Sequence, residues 1–150
     1  MYSHRQTGWV IITVMVATLT PIFYFVPARA WQHPVFVISM GFTILMCMLF
    51  SSLKVEETGD NLKISFGPGF PRKNIPFADI ASCEKVSYHW IVGYGIHLIS
   101  GGWMYNVSGN QAVKLNLRNG KVYQVGTDEP DQLMAVIRRR LETSPHIPLQ

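Results

Sequence analysis

A chain of 150 residues is the usual size of one domain, yet only 15% of it is charged, against about 25% in an average soluble protein. Apolar residues make up 48%, and no Asp, Glu, Lys or Arg occurs in residues 6–28 or 30–53. This segregation argues against a disordered chain and a soluble single-domain enzyme, and two cysteines are too few for a disulfide-stapled module.

The charge-free stretches come first in the chain. A helix rises about 1.5 Å per residue, so a hydrocarbon core of about 30 Å takes roughly 20 apolar residues. Residues 8–26 and 35–53 supply 19 each, which predicts two transmembrane helices. Trp9, Tyr24 and Trp31 fall near their ends, where amphipathic rings favour the headgroup region. Pro21 lies inside the first span and frees a backbone carbonyl that Thr18 or Thr20 is placed to satisfy. The link 27–34 is short and predicts a helical hairpin. Ala28-Arg29-Ala30 resembles a signal-peptide cleavage site, but the apolar run before it is too long and a second follows at once.

Small and polar residues recur along both spans. Ser39, Thr43, Cys47 and Ser51 are four residues apart and share one ridge of the second helix. Thr13, Ala17 and Thr20, followed by Tyr24, trace a stripe on the first. Such stripes let helices approach closely, to zip the hairpin or to receive a partner's helix. Neither span contains an ionisable residue of the kind that marks ion paths. Arg5, Lys54, Lys63, Arg72 and Lys73 flank the span ends on one side and Arg29 alone lies on the other, so the positive-inside rule predicts a multi-pass inner-membrane protein with both termini cytoplasmic. Cys83, the only thiol outside the spans, fits a reducing compartment.

Residues 54–150 read as a cytoplasmic domain of strands with one terminal helix. Strands are predicted at 54–57, 62–66, 72–75, 80–86, 95–99, 103–107, 112–117 and 121–125. Leu62, Ile64 and Phe66 alternate with Lys63 and Ser65, giving one buried and one wet face. Asn119-Gly120 predicts a two-residue type I′ turn. Thr127-Asp128 offers a helix cap, and Leu133, Val136, Ile137 and Leu141 recur at helical spacing over 129–142. The whole suggests short strands in meander order, forming a curved sheet or barrel plugged by the helix.

In element order, residues 53–142 resemble the bacterial pleckstrin-homology-like (PH-like) membrane proteins, short chains with two spans followed by a PH-type domain. The resemblance rests on Phe66-Gly67-Pro68-Gly69, Ile75-Pro76-Phe77-Ala78-Asp79-Ile80, Asn119-Gly120-Lys121 and Val125-Gly126-Thr127-Asp128-Glu129-Pro130. It implies a membrane α-helical hairpin plus an all-β PH-like barrel capped by one C-terminal α-helix. The loop region Glu56-Glu57-Thr58-Gly59-Asp60 is acidic, unlike the basic first loop of lipid-binding eukaryotic PH domains.

No catalytic or metal constellation is present. His4, His33, His89, His97 and His146 share no ligand spacing with one another or with Cys83. Gly93-Tyr94-Gly95 lacks the third glycine of a dinucleotide loop, and Gly120-Lys121-Val122 lacks the hydroxyl of a phosphate loop. Two features invite contact with a partner or lipid. One is the aromatic, glycine-rich segment 88–109, above all Trp90, Ile91 and Tyr94. The other is the basic set Arg138, Arg139, Arg140, Arg72 and Lys73. Residues 54–150 carry an excess of only two positive charges, too weak for nucleic acid. The expected function is a membrane-tethered binding or assembly module without catalysis or cofactor, in contact with lipids and with a membrane-protein partner or a second copy. The alternative is an accessory subunit stabilising a larger membrane enzyme or transporter.

Overall fold

The computed structural model describes residues 2–89 and 94–143. A first strand, β1 (Ser3–Thr7), precedes two helices, α1 (Trp9–Phe25) and α2 (Pro34–Leu49). Strands β2 (Ser52–Thr58), β3 (Asn61–Phe66) and β4 (Arg72–Pro76) complete a four-stranded antiparallel sheet in the order β1-β2-β3-β4. A second sheet follows with β5 (Ile80–Ser87), β6 (Gly95–Ile99), β7 (Gly102–Asn106), β8 (Gln111–Leu117) and β9 (Val122–Gly126), in the order β5-β8-β9-β7-β6. Helix α3 (Pro130–Thr143) ends the described chain.

The expected spans require correction. Among the described residues no helix is long and apolar enough to cross a membrane. Helices α1 and α2 have 17 and 16 residues, rises of about 25 and 24 Å against roughly 30 Å of hydrocarbon. The apolar run of residues 35–53 passes through the end of α2 into the sheet: Phe50 caps the helix, and Ser52 and Leu53 begin β2. Leu53 is buried in the sheet core, where an apolar strand residue serves as well as a helical one. This overturns the membrane-hairpin fold class, the transmembrane assignment and the multi-pass inner-membrane location built on it. The β part is not a single meander barrel either. Two sheets form, and β7 lies parallel to β9, which places the β6–β7 hairpin at the far edge.

One core joins the sheets. Leu62, Ile64 and Phe66 of β3 point into it together with Val113 and Leu115 of β8 and Val125 of β9, as the two-residue period requires. Leu133 and Ile137 of α3 are fully buried against the same cluster. An aromatic series crosses the core, with ring centroids 5.3 Å apart for Phe50–Phe66, 6.1 Å for Phe66–Tyr105 and 6.2 Å for Tyr105–Tyr123. Phe50 thereby anchors the end of α2 in the sandwich.

The β8–β9 turn is also not of type I′. Asn119 does not have positive φ, whereas Gly120 does, at 80°. Leu117 donates to Lys121 O at 2.9 Å, and Gly120 donates to Leu117 O at 3.0 Å. The loop holds three residues, Arg118, Asn119 and Gly120, with the glycine taking the left-handed position that such loops require.

Candidate functional site

The helical pair is inserted between two paired strands. β1 and β2 run antiparallel from Ser3↔Glu56 to Thr7↔Ser52, and α1 and α2 form the connection between them. The Gly8 amide donates to Ser51 O at 2.7 Å, closing the ladder where the helices begin. At the far end, Trp31 packs edge-on against Phe23 and Phe36, with centroids 5.8 and 5.3 Å away. The pair is therefore fixed to the sheet at one end and pinned by an aromatic cluster at the other.

Neither helix has a buried residue. Phe23, Tyr24 and Phe25 are 76, 80 and 85% exposed, and Val14, Val16, Ile38 and Phe42 are also exposed. Helices apolar on every side are ordinarily buried in something. The hydroxyls are turned inward: Thr20 donates to Val16 O, Ser39 to Val35 O, Thr43 to Ser39 O and Ser51 to Met48 O, all at 2.8–2.9 Å. None of these four bonds across the pair. Thr18 donates to Val14 O and Met15 O, so neither Thr18 nor Thr20 reaches the Ala17 carbonyl that Pro21 leaves without its N–H.

The two stripes of small residues take different places. Thr13, Ala17 and Thr20 line an outward groove of about 540 Å³ on α1 with Trp9, Ile12, Val16 and Pro21. Ser39 and Thr43 are exposed on α2. Cys47 and Ser51 line an apolar groove of about 270 Å³ at the base of the pair, facing Ile11, Ile12 and Met15. Gly67 brings the β3–β4 loop against the end of α2. Its φ is +43°, and a Cβ there would stand 2.6 Å from the carbonyl oxygens of Met48 and Leu49.

The arginine triplet is mostly engaged by the protein. Arg140 pairs with Glu57, whose side chain is only 3% exposed, and Arg139 reaches the same carboxylate at 3.6 Å. Arg140 also stacks over Phe77 at 5.8 Å. Burial pushes the Glu57 carboxyl up, but hydrogen bonds from Arg140 and from the Tyr2 amide outweigh it and hold the pKa below the ordinary carboxylate value. Burial raises the Cys83 thiol, and a hydrogen bond from Arg138 draws it part of the way back. Lys73 lies over the Tyr123 ring at 5.5 Å. Arg72 alone of the five basic candidates has no protein partner among the described residues.

Trp90 and Ile91 lie outside the described residues. Tyr94 is half-buried immediately before β6. Burial, with Tyr94 nearby, raises the Tyr88 phenol above its ordinary value. Trp103 and Leu98 are exposed cross-strand neighbours on β7 and β6.

Sequence reasoning missed β1, whose residues Ser-His-Arg-Gln-Thr carry no apolar alternation. It is held by distant polar partners. Gln6 Nε2 donates to Ser108 O at 3.1 Å, and the His4 ring meets Asp128 and Glu129 at 2.6 and 3.2 Å. Burial, with Glu129 and Asp128 beside it, pushes the Tyr2 phenol up to about 12. No three His, Cys, Asp or Glu side chains gather as a metal site among the described residues. The chain matches no protein-family model and no curated protein.

Proposed function

We propose that this protein is a non-catalytic binding module whose helical pair is an apolar docking element, with lipid acyl chains as its occupant. The observation that carries the reading is that two all-round apolar helices, neither with a buried residue, are rooted in a well-packed sandwich. Removing exposed apolar area from water is favourable by roughly 25 cal/mol per Å². The inward-bonded hydroxyls leave few polar groups in need of water, as an apolar phase demands. Docking would hold the sandwich beside a lipid surface and raise its effective concentration for other molecules there. The small excess of positive charge in residues 54–150 gives no reason to invoke nucleic acid.

A second reading is favoured by the groove along Thr13, Ala17 and Thr20. Small residues on such a groove admit a helix of a second copy or of a larger membrane protein, which corresponds to assembly or to an accessory subunit.

The test is flotation of the full chain, diluted from detergent, with neutral phosphatidylcholine vesicles. Migration with the vesicles is expected. A monodisperse chain that stays at the bottom of the gradient without detergent would sink the lipid reading. Recovery as a stoichiometric oligomer without lipid would replace it by the second.

A further inference from the structure

The outer face of the first sheet carries a row of cations set by strand register. Arg5 of β1 stands opposite Lys54 of β2, Lys54 opposite Ser65 of β3, and Ser65 opposite Arg72 of β4. Residues directly opposite in a sheet share a face, so the row reads Arg5, Lys54, Ser65, Arg72 across all four strands. In the next row Glu56 is opposite Lys63, and its carboxylate takes both Lys54 and Lys63. Like charges set opposite each other across a ladder cost stability. Here four cations gather round one carboxylate in a polar pocket of about 440 Å³, a surplus of three positive charges.

Arg5 is held in position for a ligand. Its Nε and Nη2 donate to Ser52 Oγ at 3.1 and 2.9 Å, and Nη2 also donates to Gly67 O at 3.2 Å. Nη1 has no protein acceptor among the described residues, and neither Arg5 nor Arg72 meets a carboxylate there. A guanidinium with free donors in a positive pocket fits a phosphate oxygen. The pocket adjoins the apolar groove at the base of the helical pair, because Arg5, Gly67 and Pro68 line both. A cationic pocket and an apolar groove that share a wall match a molecule with an anionic head and an apolar tail.

We propose that this face binds the phosphate of an anionic phospholipid, held by Arg5, Lys54 and Arg72, with its acyl chain along Ile12, Met15 and Cys47. The inference borrows from the proposed function only the lipid surroundings of the chain. The cationic row stands on strand register alone. Lys63 neutralises Glu56 so that the carboxylate does not repel the head.

The test titrates the full chain in neutral detergent with three probes: short-chain phosphatidylglycerol, the matching phosphatidylcholine and inorganic phosphate, each followed by calorimetry. Arg72→Gln is the variant of choice, because the Arg72 side chain is exposed and bonds no protein group among the described residues, so its loss leaves the fold intact. Lys121→Gln, on the β8–β9 turn, controls for net charge. Phosphatidylglycerol is expected to bind about tenfold or more tightly than phosphatidylcholine, and Arg72→Gln is expected to lose about tenfold while Lys121→Gln does not. Equal binding of the two lipids, or an Arg72→Gln variant that binds as the parent does, would overturn the proposal. Inorganic phosphate binding as tightly as phosphatidylglycerol would reduce the site to one for free anions and overturn the lipid assignment. Charge-selective binding in detergent by a chain that fails to float with neutral vesicles would uphold this site while refuting the docking reading.

Discussion

Arg140, in the last turn of α3, closes on the carboxylate of Glu57, buried in β2 and 83 residues away in sequence. The pair ties the terminal helix to the first sheet, and the Tyr2 amide donates to the same carboxylate at 3.0 Å. Glu57→Gln removes the buried charge and leaves Arg140 35% exposed to water, so the loss should be about 1–2 kcal/mol, below that of a fully buried pair, read from thermal unfolding by circular dichroism. Because the folded pKa lies below the ordinary carboxylate value, the contribution is complete above that ordinary value. It is lost as pH falls through the depressed folded value. The acid limb of the stability profile should flatten in Glu57→Gln. An unchanged limb would show that the pair contributes nothing to acid sensitivity.

Gly67 is required for two separate reasons, its left-handed backbone and the carbonyl oxygens of Met48 and Leu49 beside it. Gly67→Ala forces the β3–β4 loop away from the base of α2, at a cost of about 2 kcal/mol or more. Gly59 also has positive φ but has open space around it. Gly59→Ala should thus show the smaller loss, from backbone strain alone. Equal melting temperatures for the two variants would exclude the close approach as a constraint.

Much of the β architecture is legible in the sequence because its side chains alternate. Leu62, Ile64 and Phe66 announce β3, and Leu133 and Ile137 announce the buried stripe of α3. Hydropathy over-extends the helical pair for the converse reason. Phe50 and Leu53 are apolar because they enter the sandwich core, and hydropathy alone does not distinguish a core strand from the continuation of a helix. β1 is silent because its partners lie far along the chain. The cationic row is silent for the same reason: Arg5, Lys54 and Arg72 become neighbours only when three strand registers are known.

The Cys83 thiol should be a poor nucleophile at neutral pH. Burial raises its pKa, and Arg138 only partly compensates. In a Cys47→Ser background, alkylation of Cys83 by iodoacetamide should be slower than that of a free thiol. Arg138→Ala should slow it further, since removing the cation leaves less thiolate at a given pH. Faster alkylation in Arg138→Ala would mean that the arginine shields the sulfur rather than polarising it.

Phe66 and Phe42 separate folding from docking. Phe66 is 1% exposed in the sandwich core, and Phe66→Ala should cost about 3–5 kcal/mol of stability. Phe42 is 61% exposed on α2, so Phe42→Ala should change the melting temperature little, as surface substitutions do. In the proposed docking, however, the Phe42 ring leaves water for acyl chains. Transfer of such a side chain contributes roughly 1.5–3 kcal/mol, so partitioning of Phe42→Ala onto neutral vesicles should fall about tenfold or more. Unchanged partitioning with unchanged stability would show that this face of α2 does not enter lipid, and the groove on α1 would then be the surface to test.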